Sequence, residues 1–283
     1  HISEILQKQK KEYPKSVLDK HNNYVIAIPS YKRAETLRDR TLAILQKYKI
    51  NPNKIHIFVA DKSEEKSYKE ILPNYYKKIV IGKKGIKNIR NFMPKYFPEG
   101  QKIFYMDDDC YALFECVRKS SKSKSNRSNR SNKSKSKKQT RDKSNQKLIP
   151  LKNLDKFIKS GFQDLHITKL GLFGIYPVDD PPNAFFMRAT DNKQRKHIST
   201  RLCYIIGYCA GTINKRVCEV RTIDDKEDFE RSIKYYLHDG GVLRYNNITA
   251  KSKCYKEPGG MQVERTKERV KRSALYLNRK YPD

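Results

Sequence analysis

Short apolar runs recur along the first 110 residues, each closed by a small or polar residue. Tyr24-Val25-Ile26-Ala27-Ile28 is continuous and ends at Pro29, the pattern of a strand buried on both faces. From Ala34 onward the period lengthens, and Leu37, Ile44, Leu45 and Tyr48 fall on one helical face. Residues 55–60 predict a second strand ending at Asp61, and Ile79-Val80-Ile81 a third. Gly82-Lys83-Lys84-Gly85 then leads into a helix through Phe92 and Met93. A fourth run, Ile103-Phe104-Tyr105-Met106, stops at three consecutive aspartates, Asp107, Asp108 and Asp109. Strands alternating with helices predict βαβ units and a parallel sheet, with ligands bound beyond the carboxyl ends of the strands. Ser30, Asp61, Gly82 and Asp107 all stand at such ends.

Between residues 118 and 147 the pattern vanishes. The segment has no apolar residue; its thirteen basic residues and single Asp142 carry +12 of the net +31, which leaves +19 elsewhere. Such a stretch cannot bury a core and is expected to be disordered, either as a tolerated surface insertion or as an arm that grips nucleic acid. Periodicity returns afterwards. Residues 151–165 predict a helix, 171–176 and 202–206 strands, and Asp179-Asp180-Pro181-Pro182 a loop. An acidic-led helix is expected over 225–237, a strand over 245–255 and a basic terminal helix over 262–278.

Composition adds a partner class. Sixty-two Lys and Arg against thirty-one Asp and Glu predict attraction to polyanions: nucleic acid, anionic glycans or a charged membrane surface. Abundant Lys, Asn, Ile and Tyr with no Trp also fit an AT-rich genome, so charge alone is weak evidence. No run is long enough to span a bilayer, no signal-peptide pattern opens the chain, and the six cysteines form no CxxC pair or zinc-like spacing. An intracellular protein with reduced thiols and no membrane partner is expected. The sequence sets no oligomeric state.

In so basic a chain the aspartate triplet is the first candidate for chemistry. Adjacent carboxylates repel unless a cation neutralises them, and hard oxygen ligands suit Mg²⁺ or Mn²⁺, which also meet substrate phosphates. In extended geometry Asp107 and Asp109 point one way and Asp108 the other, which makes Asp107 and Asp109 the metal candidates unless a turn at the strand end reverses these roles. Taken alone, an acidic loop tip explains the triplet equally well.

The order of surrounding motifs narrows the choice. Pro29-Ser30-Tyr31-Lys32-Arg33, then Asp61, then Gly85-Ile86-Lys87-Asn88-Ile89-Arg90-Asn91, then Asp107-Asp108-Asp109 resembles the GT-A fold glycosyltransferases of the family 2 type. Cys209-Ala210-Gly211-Thr212, Glu227-Asp228 and Gly259-Gly260-Met261 extend the likeness to the glycosyltransferases associated with TET/JBP dioxygenases, which include the base J enzymes and phage and viral relatives. The resemblance implies an α/β GT-A domain, a Rossmann-like mixed sheet flanked by helices. Residues 24–117 would form the nucleotide-sugar half, 118–147 the disordered insertion and 148–283 the acceptor half.

It also implies roles for particular residues. Pro29, Ser30, Tyr31, Arg33, Asp61, Gly85, Arg90, Asn91, Asp107 and Asp108 would hold the donor nucleotide, and Asp107 and Asp109 a divalent metal. Asp228 would be the base of an inverting transfer, with Arg231 a poorly spaced counterpart of the family arginine. UDP-glucose is the implied donor, and a hydroxymethylpyrimidine in DNA the implied acceptor. A purely structural reading makes Glu227 and Asp228 partners of the helix dipole. Tyr176, Phe185, Phe186 and Tyr208 are candidates to stack on an extruded base or to pack in the core, and His197 and His238 to contact the acceptor or stay structural. Three alternatives stay open: a protein or glycan acceptor, an inactive nucleic-acid-binding scaffold, and nucleotidyl transfer on the same paired aspartates.

Overall fold

The computed structural model describes residues 23–118, 146–178, 197–252 and 266–282. Their framework is a ten-stranded mixed sheet flanked by helices, a GT-A-like Rossmann arrangement. β1 (Val25–Pro29) lies between β2 (Ile55–Val59) and β4 (Lys102–Met106), and β3 (Lys78–Ile81) joins the outer side of β2, all in parallel. These are the four strands expected from the apolar runs. Each is buried over both faces, so consecutive residues feed opposite cores. Ile26, Ile28, Phe104 and Met106 enter the larger one, while Ala27, Phe58, Ile103 and Tyr105 enter a second beneath the helix that follows β3.

Beyond β4 the sheet turns antiparallel. β9 (Cys209–Ile213) pairs with β4 and with β7 (Leu172–Tyr176), and β10 (Leu243–Ser252) lies parallel to β7 and antiparallel to β5 (Cys110–Arg118). β6 (Gln146–Pro150) closes the edge against β5, and the short β8 (Ile198–Ser199) pairs with β10. The parallel sheet expected from alternation therefore holds for the first half, and the whole is mixed. Gly211 shows why β9 and β7 can pack so closely under one ring. A Cβ there would stand 2.0 Å from Phe173 Cε1, nearer than any real contact.

Helices cover both faces. α1 consists of turns Ala34–Leu37 and Ala43–Lys47 joined by a π-helical stretch, Arg38–Leu42. α2 (Lys62–Ile71) was not evident from the apolar pattern; α3 (Ile86–Tyr96) and α4 (Leu154–Thr168) were. The short α5 (Arg216–Glu219), then α6 (Glu227–Asp239) and α7 (Lys267–Lys280) complete the set. Among the described residues no helix is long and apolar enough to cross a membrane, and none of the five described cysteines forms a disulfide.

Three expectations need correction. Arg118, Gln146 and Lys147, placed in the disordered insertion, instead pair in the β5–β6 ladder. Residues 202–206 are irregular, not a strand: the Ile205 N–H goes to Ser232 Oγ at 3.1 Å and the Tyr204 carbonyl to Arg244 Nη1 at 3.3 Å. Side chains of α6 and β10 thus satisfy a backbone that a ladder would otherwise claim. α6 begins at Glu227 rather than 225, because Lys226 takes φ +63° and Asp225 is buried in an ion pair with Arg269 of α7. Residues 119–145 of the basic insertion, Asp179 to Pro182, Phe185, Phe186 and Gly259-Gly260-Met261 lie outside the described residues.

Candidate active site

The aspartates follow β4 directly, and each meets a different set of partners. Thr41, inside the π-helical stretch of α1, donates from Oγ1 to the Asp107 carbonyl at 2.7 Å and accepts from the Cys110 N–H at 3.1 Å. That pins the turn at both ends; π-bulges often mark such sites. Asp108 is buried. Ser30 Oγ donates to its Oδ2 at 2.6 Å and Arg33 Nη1 to its Oδ1 at 3.4 Å. Burial pushes its carboxyl up to about 7, against Ser30 and Arg33, with Asp109 and Asp107 adding to the rise. Asp109 is also buried. The β10 register shifts between Lys251 and Ser252, and Ser252 Oγ donates to Asp109 Oδ1 at 2.7 Å, with Arg33 Nη1 3.8 Å from Oδ2. Burial and the Asp107 charge hold its carboxyl above the ordinary range. Asp107 remains about a third exposed, its side chain at 34%.

The loop after β1 is braced from α2. Ser30 Oγ and Tyr68 Oη share a hydrogen bond of 2.7 Å, the Arg33 N–H donates to Tyr68 Oη at 3.0 Å, and Glu64 accepts from the N–H groups of Lys32 and Ala60. Neither Glu64 nor Tyr68 was evident from sequence, because both lie on a helix without a strong apolar stripe. Pro29 ends β1 opposite Phe58, and the Tyr31 ring lies 5.7 Å from Lys84 Nζ in the loop after β3. Asp61 caps α2, accepting from the Glu64 N–H at 3.0 Å, and is exposed.

Gly85 starts α3 at φ +93°, a conformation that glycine adopts without a Cβ penalty. Five residues on, Arg90 is 3% exposed and donates from Nη2 to Asp107 Oδ1. Its Nε lies 3.2 Å from Glu227 Oε1. Asn91 turns to the other side of the helix, where its amide both donates to and accepts from the Arg221 backbone, at 2.9 and 2.7 Å.

Glu227 and Asp228 open α6. Glu227 is buried and pairs with Arg90 and, at 3.0 Å, with Arg221 Nε, while Arg221 also holds the buried Glu219. Burial raises the Glu227 carboxyl, but Arg90, Arg221 and Arg231 outweigh it and hold it below the ordinary value. A helix dipole contributes about 0.3–1 kcal/mol, whereas stranding one partner of a buried ion pair costs about 3–5 kcal/mol. The ion pairs therefore dominate at Glu227. Asp228, half-buried, accepts from Tyr204 Oη and from the Gly207 N–H at 3.3 Å through Oδ2. Its carboxyl is raised by burial and by the neighbouring Glu227 charge. A Cβ on Gly207 would lie 3.3 Å from Glu227 Oε1, 3.6 Å from Arg90 Nη2 and 3.6 Å from the Asp228 Cβ. Asp107, Arg90, Glu227, Asp228 and Gly207 thus form one continuous cluster.

Other candidates fall elsewhere. Arg231 is buried 5.7 Å from the Tyr105 ring centroid, Tyr176 packs in the core under Arg244, and Tyr208 donates to the Ala250 carbonyl at 3.2 Å. His238 contacts Asp239 at the surface and the His197 carbonyl accepts from Asn246. Sequence reasoning missed Tyr204, Arg221, Glu219 and Ser252; only Tyr204 had a usable signal, an aromatic within the run 202–206.

A metal was expected at the triplet. Among the described residues no three His, Cys, Asp or Glu side chains converge as a metal cage. The donor set nevertheless fits a cation that keeps water and phosphate in its shell, since such ions take only one or two carboxylates. Both Asp108 oxygens carry hydrogen bonds, whereas Asp107 uses Oδ1 on Arg90 and remains partly open.

A family model described as TET-Associated Glycosyltransferase matches residues 24–169, a little over half of the 283 residues. No curated protein matches the chain.

Proposed function

The chain belongs to the TET-Associated Glycosyltransferase family, and on that premise we propose that it moves a hexose, glucose by preference, from a UDP-sugar to a hydroxymethylpyrimidine in DNA. The acceptor would be 5-hydroxymethyluracil or 5-hydroxymethylcytosine, and the anomeric carbon would be inverted. The observation that carries this reading is Arg90: one buried guanidinium joins the aspartate turn to the acidic start of α6.

On this reading the Ser30–Arg33 loop and the start of α3 bind the nucleotide, with Arg33 and Arg90 offering positive charge to its phosphates. Asp107 and Asp109 would hold Mn²⁺ or Mg²⁺. Bound there, such a cation neutralises charge on the departing diphosphate. Asp228 is the base. Its raised carboxyl makes it a stronger base than an ordinary aspartate, and the bonds on Oδ2 fix its orientation. It takes the proton of the acceptor hydroxyl as that oxygen bonds to the anomeric carbon. The bond from that carbon to the diphosphate breaks, and UDP leaves with the electron pair. Arg90, paired with Glu227, links the two halves so that donor and base keep a fixed separation. The +19 outside the basic insertion favours a polyanionic acceptor.

The test incubates the protein with UDP-sugars, Mn²⁺ and DNA containing either modified base, then digests and weighs the nucleosides. Addition of one hexose to the modified nucleoside is expected. No hexose from any UDP-sugar overturns the DNA acceptor, and DNA binding without UDP or Mn²⁺ binding points to an inactive scaffold.

A further inference from the structure

Beside Asp228 lies an aromatic pair whose ring faces the transfer chemistry does not use. The Tyr204 and Phe229 rings stack with centroids 4.0 Å apart and planes inclined by 18°. Tyr204 is the inner ring: its hydroxyl donates to Asp228 Oδ2 and its carbonyl accepts from Arg244. Phe229 is the outer one, 38% exposed on the first turn of α6, with Lys226 Nζ 5.0 Å from its centroid. A lone exposed apolar side chain needs no explanation, and Leu237 and Val217 on the same half are such cases. Phe229 differs because the ring behind it is locked to the proposed base.

The geometry points to Phe229, backed by Tyr204, as the stacking face for the pyrimidine that bears the accepting hydroxyl. This rests on Asp228 acting as the base. The accepting oxygen must come within about 2.6–3.2 Å of the Asp228 carboxylate, and C5 of the pyrimidine is only two bonds from that oxygen. The ring therefore lies among the side chains that flank Asp228, and Phe229 is the next residue. Enzymes that do chemistry on a base commonly extrude it from the duplex or take it single-stranded, and either leaves its faces without stacking partners. An exposed aromatic restores one of them. Stacking is tolerant of base identity because every base has a π-face, so selection for the modified base falls to the reach of its hydroxymethyl group toward Asp228. Lys226 adds positive charge beside the ring, where the phosphates of an extruded nucleotide need it.

Steady-state transfer at saturating UDP-glucose, with hydroxymethyluracil DNA varied, tests the platform. Phe229→Leu keeps apolar bulk but loses the plane, and should raise KM for DNA on the order of tenfold with UDP binding intact. Phe229→Tyr restores the plane and should recover most of that loss. If Phe229→Leu fails to fold, Tyr204 decides. Tyr204→Phe keeps both rings and should lower kcat at little cost in KM, whereas Tyr204→Leu removes the backing ring and should raise KM. Leucine variants with wild-type KM overturn the platform alone. Wild-type protein that transfers no hexose from any UDP-sugar to DNA bearing either modified base overturns the transfer reading, and the platform with it.

Discussion

Asp107, Asp108 and Asp109 are consecutive in the chain, yet they bond to an arginine of α3, a serine of the β1 loop and a serine of β10. Substitution should therefore separate their roles. Asp109→Ala removes one carboxylate of the proposed metal pair and should abolish turnover, with Mn²⁺ affinity lost in a calorimetric titration; unchanged turnover and affinity would refute the assignment. Asp228→Asn keeps the shape of the proposed base but cannot take a proton, so UDP binding should persist while transfer falls to background. Loss of both would mark a structural role. The raised Asp228 carboxyl also sets a pH dependence. A base works only when ionised, so kcat/KM should fall as pH drops, along a limb centred above the ordinary aspartate value. Tyr204 donates to the ionised form and lowers that carboxyl, so Tyr204→Phe should move the limb to higher pH. A limb that stays in place in that variant shows that another group titrates.

At the level of elements, the start of α3 sets where Arg90 stands. Gly85 has φ +93° and ψ 142°, near a region that non-glycine residues occupy at a cost of about 1–3 kcal/mol. Gly85→Ala should lower stability by that amount in denaturant melts. It should reduce transfer further, because a tilt of α3 moves Arg90 off both Asp107 and Glu227. Equal stability with full activity would show that the turn relaxes without strain. These first-half elements were legible because each strand is a short apolar run with a polar stop. Ser30 and Asp107 sit at those stops, and Arg90 on the helix that follows the third. What escaped has a common cause. α2 has no strong apolar stripe, and β5, which starts immediately after the triplet, mixes apolar residues with Glu115 and Arg118. Residues 202–206 look like a strand, but their backbone is claimed by Ser232 and Arg244 from distant elements. Arg221 and Tyr204 become site residues through bonds that carry no local period.

At the scale of the whole molecule, about a third of the net charge sits in the connection between β5 and β6. β5 and β6 pair up to Arg118 opposite Gln146, so the 27 residues between them leave and return at neighbouring ladder positions. An Asn-Gly turn is the usual closure of such a ladder, and replacing residues 119–145 with it should leave the melting temperature nearly unchanged. The segment carries eleven Lys and Arg and one Asp, a net +10, so the shortened protein keeps +21. Every phosphate that the segment neutralises releases counterions irrespective of base sequence, and the slope of log K against log salt becomes shallower by about 0.9 for each phosphate no longer neutralised. The shortened protein should therefore bind modified and unmodified DNA more weakly by the same factor, with a shallower salt slope and an unaltered kcat on saturating DNA. A lowered kcat would instead place the segment over the site at Asp107, where β4 turns into β5. Identical affinity and slope in the two proteins would leave the rest of the chain as the whole of the DNA-binding surface.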